Sequence, residues 1–254
     1  MREIFGCAIV AFTVGISGTA VAETTSTVDW SGFYAGGFLG ATSSDSDVST
    51  VTGRLQYFDA TDARQIARVG KDQINQGYAV GGLVGGYGQQ FGNVLVGIEA
   101  SANTLSLNKE RVTRQEMDAN PGSQSVIKQS VSADWMAGLR LRLGWAERNW
   151  LTYVTGGVAA TRLKLNASYT DNAFSGFSQG SKSDFVTGWS LGFGGEYAMN
   201  QNWSLRGEYL YTRFGHISTT SDVTSTNNSG GTLDHKADLD NRTLFVGVTY
   251  RFKN

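Results

Sequence analysis

Trp135-Met136-Ala137-Gly138-Leu139-Arg140-Leu141-Arg142-Leu143-Gly144-Trp145 carries two unlike faces in one extended segment. One parity reads Trp135, Ala137, Leu139, Leu141, Leu143 and Trp145. The other reads Met136, Gly138, Arg140, Arg142 and Gly144. Successive side chains of a strand point to opposite sides, whereas a helix would spread both sets around its circumference. The segment is therefore expected to be a strand, apolar on one side and small or cationic on the other. Its two tryptophans stand ten positions apart on the apolar parity. At ~3.3 Å per residue and a tilt near ~40°, that is roughly 25 Å, the height of the apolar band of a transmembrane β-barrel with aromatic side chains at both edges.

The same alternation recurs. Leu244, Val246, Val248, Tyr250 and Phe252 oppose Gly247, Thr249 and Arg251, with Phe245 the exception. Trp189, Leu191, Phe193 and Tyr197 oppose Ser190, Gly192, Gly194 and Glu196. Trp203, Leu205, Tyr209 and Tyr211 oppose Ser204, Arg206 and Glu208, and Val94, Val96, Ile98 and Ala100 oppose Gly97, Glu99 and Ser101. Gly32 to Ala41, Tyr78 to Gln89 and Leu151 to Leu163 have strand composition but glycine on both parities, so their faces stay unassigned. Eight antiparallel strands follow. Short links are expected at Gln90 to Asn93, Ala146 to Asn149 and Met199 to Asn202. Long polar links are expected near Thr42 to Gly77, Thr104 to Ser125, Asn166 to Ser183 and His216 to Asn241. Tight turns at one end and long loops at the other are the layout of outer-membrane barrels, the turns being periplasmic.

Alternation alone does not say which face meets solvent, because a soluble barrel alternates with the opposite sign. The polar parity decides it. Glu99, Arg140, Arg142, Glu196, Arg206, Glu208 and Arg251 lie among glycines. A water-facing surface carries many Lys, Glu and Asp residues instead. A narrow lumen wants small residues and charges that pair, and the planar guanidinium fork suits carboxylates. These seven residues are expected to form an interior network. Trp30, Trp135, Trp145, Trp150, Trp189 and Trp203 are expected to form the aromatic girdles facing outer-membrane lipids.

Composition agrees. The 254-residue chain has 33 glycines, one proline and a net charge of −1. Low proline suits paired strands, frequent glycine disfavours long helices, and the near-neutral charge offers nothing to nucleic acid. Mean hydropathy is −0.22, as expected when only alternate residues meet lipid. Residues 1–22 read as a secretory signal peptide: Arg2 in a short leading region, an uncharged run from Ile4 to Ile16, and Ala20-Val21-Ala22 as the cleavage site. The barrel domain is then residues 23–254, its chain starting at Glu23. Cys7, the single cysteine, falls in the signal, so no disulfide is expected.

Several segments carry a resemblance in fixed order: Trp30-Ser31-Gly32-Phe33-Tyr34-Ala35-Gly36, Gly81-Gly82-Leu83-Val84-Gly85-Gly86-Tyr87, Asp134 through Gly144, Tyr153-Val154-Thr155-Gly156-Gly157, Gly207-Glu208-Tyr209-Leu210-Tyr211, and Gly247-Val248-Thr249-Tyr250-Arg251-Phe252. Together they resemble the alphaproteobacterial porin-like outer-membrane β-barrel family, often called outer-membrane immunogenic proteins. The resemblance covers the strands and not the links. It implies eight strands, an outer-membrane location, insertion by the barrel assembly machinery, and roles in envelope integrity and surface interaction. Some such proteins are hemin-binding, and none brings a catalytic motif. Barrels of this kind end on an aromatic residue, whereas here Lys253 and Asn254 follow Phe252.

No cofactor or metal site is expected. His216 and His235 are read as solvated residues of the last long link, with Ser218 or Asp222 beside His216 as the weak catalytic candidates. The pairs Gly81-Gly82 and Gly85-Gly86 lie in a strand without a following helix, which disfavours a phosphate loop. The expected function is structural or surface-interactive, with a narrow lumen filled by the Arg/Glu network. The alternatives are a small porin for ions or small solutes, and loop-mediated binding of a hemin-like surface ligand.

Overall fold

A strand with one parity in hydrocarbon cannot leave its backbone edge unpaired there, so the sheet has to close. The computed structural model describes residues 28–53, 60–118, 122–225 and 231–252. The expected signal peptide, Cys7, Lys253 and Asn254 lie outside them. Eight strands form a closed antiparallel barrel in sequence order: β1 (Gly32–Thr52), β2 (Asp72–Phe91), β3 (Val94–Glu116), β4 (Gln124–Glu147), β5 (Trp150–Asp171), β6 (Phe177–Ala198), β7 (Trp203–Thr224) and β8 (Gly231–Arg251). The ring shuts where β1 pairs with β8, from Tyr34↔Arg251 to Thr52↔Leu233.

The short links fall where expected. Gly92 (φ 62°) turns β2 into β3, and Arg148 (φ 52°) turns β4 into β5. At the third, Asn200 Oδ1 accepts from the Asn202 and Trp203 amides, both at 2.9 Å. Tight turns of this kind need left-handed backbone or a side chain that mimics one.

The long links depart from expectation. Strands run 20 to 24 residues, about twice the ~9–11 needed to cross a bilayer. Much of Thr42–Gly77, Thr104–Ser125, Asn166–Ser183 and His216–Asn241 is strand rather than loop. These extensions continue the barrel wall beyond the membrane. One link also contains a helix, α1 (Ala60–Val69), with Asp62 in its first turn and Arg68 in its last, the arrangement that complements the helix dipole.

The extension follows the opposite chemical rule from the band. In β5 the inward parity never changes, but its contents do: Tyr153, Thr155, Gly157 and Ala159 give way to Leu163, Leu165, Ala167 and Tyr169. The outward residues change from Val154 and Val158 to Lys164, Asn166 and Ser168. In β4 the parity itself flips at an irregularity between Ala133 and Met136. Below it Leu139, Leu141 and Leu143 face outward; above it Ile127, Val131 and Ala133 are buried inside. An inserted residue re-aims every side chain beyond it. A matching shift occurs in β7 between Phe214 and Ile217. Outside the band is hydrocarbon and outside the extension is water, so apolar groups move from the outer wall to the interior.

The lumen as candidate functional site

Within the band, side chains from five strands converge on the lumen. β3 supplies Glu99, β4 supplies Arg140 and Arg142, β6 supplies Glu196, β7 supplies Arg206 and Glu208, and β8 supplies Arg251. All seven are buried. Glu99 accepts from Arg140 Nη2 at 2.6 Å and from Arg206 Nη1 and Nη2 at 2.5 and 2.9 Å. The latter is the bidentate geometry that a planar guanidinium provides. Arg206 Nη2 also donates to Glu208. Glu196 accepts from Arg142 Nη2 at 2.5 Å and lies 3.8 Å from Arg251 Nη2. The sequence parity thus brings all seven into one connected cluster.

Two tyrosines belong to the same cluster and escape a reading by charge alone. Tyr34 donates to Glu99 Oε2 at 2.8 Å, and Tyr153 to Glu208 Oε2 at 2.7 Å. The Arg142 guanidinium sits 3.6 Å over the Tyr153 ring, a cation–π contact. Each tyrosine needs an absent side chain on a neighbouring strand. A Cβ on Gly86 would stand 2.6 Å from the Tyr34 hydroxyl, and one on Gly194 would stand 2.6 Å from that of Tyr153. That explains glycine on the inward parity of these strands.

Beyond the charges the interior becomes apolar. Leu105, Leu107, Val131, Leu163, Leu165 and Leu239 belong to one buried cluster, with Phe38 and Phe245 stacked at 4.4 Å. Further out, His235 shares hydrogen bonds with Thr50 (Nδ1, 2.8 Å) and Ser221 (Nε2, 3.0 Å). Gln129 Nε2 donates to Thr50 Oγ1 at 2.7 Å and to the Gly70 carbonyl at 3.2 Å. Then α1 lies against the wall: Ile66 packs with Ile127, Tyr169, Val223 and Leu233. Gln65 donates to the Glu116 carbonyl at 2.7 Å.

Two expectations need correcting. Trp30 is not in a lipid-facing girdle; its side chain is 0% exposed. It precedes β1 and packs with Leu95, Leu151 and Tyr153 at the turn end, under the Arg251 guanidinium at 4.6 Å. Its backbone N–H donates to Gln90 Oε1 at 2.9 Å, which draws the segment across the barrel end. Trp135 and Trp189 face outward at the loop-end edge, and Trp145, Trp150 and Trp203 face outward at the turn end. Nor are the histidines two solvated loop residues. His216 is exposed on β7, while His235 is buried inside β8, because its parity points into the lumen. They lie on opposite faces of the wall, so the geometry does not pair them. Ser218 and Asp222 are exposed and Ser221, not Ser218, contacts a histidine. Among the described residues no group of three or more His, Cys, Asp or Glu could hold a metal ion.

Residues 8–252 match the family model described as the outer membrane protein beta-barrel domain. The chain belongs to that family. It is 30% identical over 235 residues to the 31 kDa outer-membrane immunogenic protein of Brucella melitensis, covering 89% of this chain and 85% of that protein. The 25 kDa outer-membrane immunogenic protein of Brucella abortus is 30% identical over 122 residues, 48% of each chain. Among solved structures, the outer membrane protein OprG of Pseudomonas aeruginosa aligns with a TM-score of 0.48 at 14% identity, covering 90% of this chain and 99% of that one. As a member of this outer-membrane family, the protein resides in the outer membrane, and its apolar band meets the lipids there. The family relationship agrees with the resemblance that the strand motifs carry, and the closed ring of eight strands with the expectation drawn from alternation.

Proposed function

We propose that this protein has a structural and surface-presenting role in the envelope, with a lumen closed to bulk flow. The observation that carries this reading is the stacking of an apolar layer directly on the ion-pair cluster. A solute passing the barrel would have to displace Leu105, Leu163, Leu239 and the Phe38–Phe245 pair as well as the charges. An eight-stranded barrel has an interior just wide enough for side chains to fill. The strand extensions then act as a rigid wall that holds surface segments away from the membrane, where they are available to a partner. Insertion by the barrel assembly machinery belongs to the same reading, and catalysis does not. Purified protein, with closure verified by heat-modifiable gel migration, is expected to give no stable large unitary conductance in a planar bilayer. Reproducible large steps would reject a closed lumen.

A second reading, passage of ions or small solutes, draws on Arg142 Nη1 and the Nε atoms of Arg140 and Arg206. These buried donors make no hydrogen bond to the protein, as a hydrated path would allow. Under that reading an Arg140→Gln/Glu208→Gln variant changes conductance or ion preference; unchanged traces would remove it.

A further inference from the structure

The ladder between β6 and β7 is interrupted. Pairing runs from Ala198↔Ser204 to Gly188↔Phe214 and resumes only at Ser178↔Val223. Between these points nine residues of β6 (179–187) face eight of β7 (215–222). β6 stays paired to β5 throughout, and β7 rejoins β8 at Ile217. Backbone donors and acceptors along the gap need partners other than the opposite strand. Hydrocarbon cannot supply them, so the gap belongs outside the apolar band. Ring pairs mark that boundary: Trp189 with Tyr211 at 5.4 Å and Trp135 with Phe185 at 6.1 Å.

A crevice of about 330 Å³ opens here on the outer surface. Lys182, Asp184, Phe185, His216 and Ser218 line it, above the buried Val186 and Ile217. On the neighbouring β5, Arg162 is paired opposite Phe185. The guanidinium lies 5.8 Å over the Phe185 ring and its Nε donates to Ser183 Oγ at 3.1 Å. Lys182 reaches Asp184 only at 3.9 Å, with both side chains about half exposed. A contact of that kind contributes little and leaves the ammonium free to turn to another anion. Beside the cations, Phe185 is 64% exposed, on the same outward parity as Trp189.

We propose that this interrupted seam binds a phosphate group of an outer-leaflet glycolipid. Lys182 and Arg162 supply cationic donors, His216 supplies a ring N–H, and Ser218 supplies a hydroxyl. Phe185 packs on the first acyl carbons, which is why the anion is lipid-borne rather than free. The long side of the barrel is extracellular, so the crevice opens at the outer leaflet, where phosphorylated glycolipid is available. Charge-assisted bonds to phosphate from a guanidinium fork and an ammonium are the strong class of hydrogen bond.

The test is native mass spectrometry of the detergent-solubilised barrel with diphosphorylated lipid A, its dephosphorylated form, and inorganic phosphate. Wild type is expected to retain diphosphorylated lipid A at least tenfold better than an Arg162→Gln/Lys182→Gln/His216→Gln variant. A Lys236→Gln/Arg242→Gln control on β8 is expected to match wild type, and heat-modifiable migration shows that each barrel is closed. Equal retention by the seam variant, or equal retention of dephosphorylated lipid A by wild type, would overturn the proposal. Displacement of the lipid by equimolar inorganic phosphate would overturn the assignment to a lipid.

Discussion

The membrane band and the outer extension are built from the same eight strands and obey opposite rules. In the band, Leu141 is 67% exposed and Arg142 is buried; in the extension, Val131 is 0% exposed and Lys128 faces out. The backbone geometry hardly changes between them. What changes is the liquid outside the wall, and with it the side chains that the interior must take. Where hydrocarbon covers the wall, the polar residues have only each other, and the Arg/Glu/Tyr cluster results. Where water covers it, the interior is free to be an ordinary apolar core.

That contrast can be attacked from several directions. The largest effect is expected inside the band. Glu99→Gln removes the carboxylate shared by Arg140 and Arg206 and leaves both buried cations to lean on Glu208, at a cost of about 3–5 kcal/mol. Urea unfolding in micelles would measure it. A loss below about 1 kcal/mol would mean that water already solvates the cluster. Next, Leu165→Ala, inside the extension, is expected to cost about 3 kcal/mol as a core truncation. Leu141→Ala, on the lipid face, is expected to cost much less, because lipid chains fill the space. Similar losses at both sites would erase the distinction between the halves.

Charge insertion sharpens the same comparison. Leu141→Arg is expected to destabilise by about 2–4 kcal/mol, as for a cation near the bilayer midplane. Ser132→Arg, on the outer face of the extension, is expected to stay within about 0.5 kcal/mol. Reversible folding into liposomes would report both.

The last of these effects is a pH dependence confined to the extension. Burial pushes the His235 imidazole down from 6.5 to about 4, against the opposing pull of Asp234. The folded extension holds it neutral, while the opened chain takes up a proton below about 6.5. Its contribution is therefore whole above that pH, falls as pH drops toward 4, and levels off below. The loss is at most on the order of 3 kcal/mol. Amide exchange at Thr50 and Gly70 is expected to speed up between pH 7 and 4.5, and His235→Gln is expected to flatten the slope. No change in wild type would place His235 in contact with water.

The sequence makes the band legible because hydrocarbon tolerates almost no exceptions on one parity; Trp135 to Trp145 has none. It conceals the extension for an equally physical reason. Ser125 to Ala133 and Leu163 to Tyr169 do alternate, but apart from Val126 their outward residues are Ser, Asn and Lys, the residues of loops. Polar composition therefore outweighs period. The flip at Ala133/Met136 hides it further, since an inserted residue breaks the phase of any repeat. Trp30 is buried against expectation because an aromatic residue just before a strand has no parity to follow. Parity does bring Glu99, Arg140, Arg142, Glu196, Arg206, Glu208 and Arg251 together, yet Tyr34 and Tyr153 become visible only once Gly86 and Gly194 lie beside them.

Spin-label accessibility on the protein in a lipid bilayer tests the change of solvent most directly, using single cysteines at Leu141 and Lys164. The Leu141→Cys label is predicted to be relaxed by oxygen and shielded from a polar nickel chelate, and the Lys164→Cys label to show the reverse. Matching accessibility at both positions, with either reagent, would contradict the account.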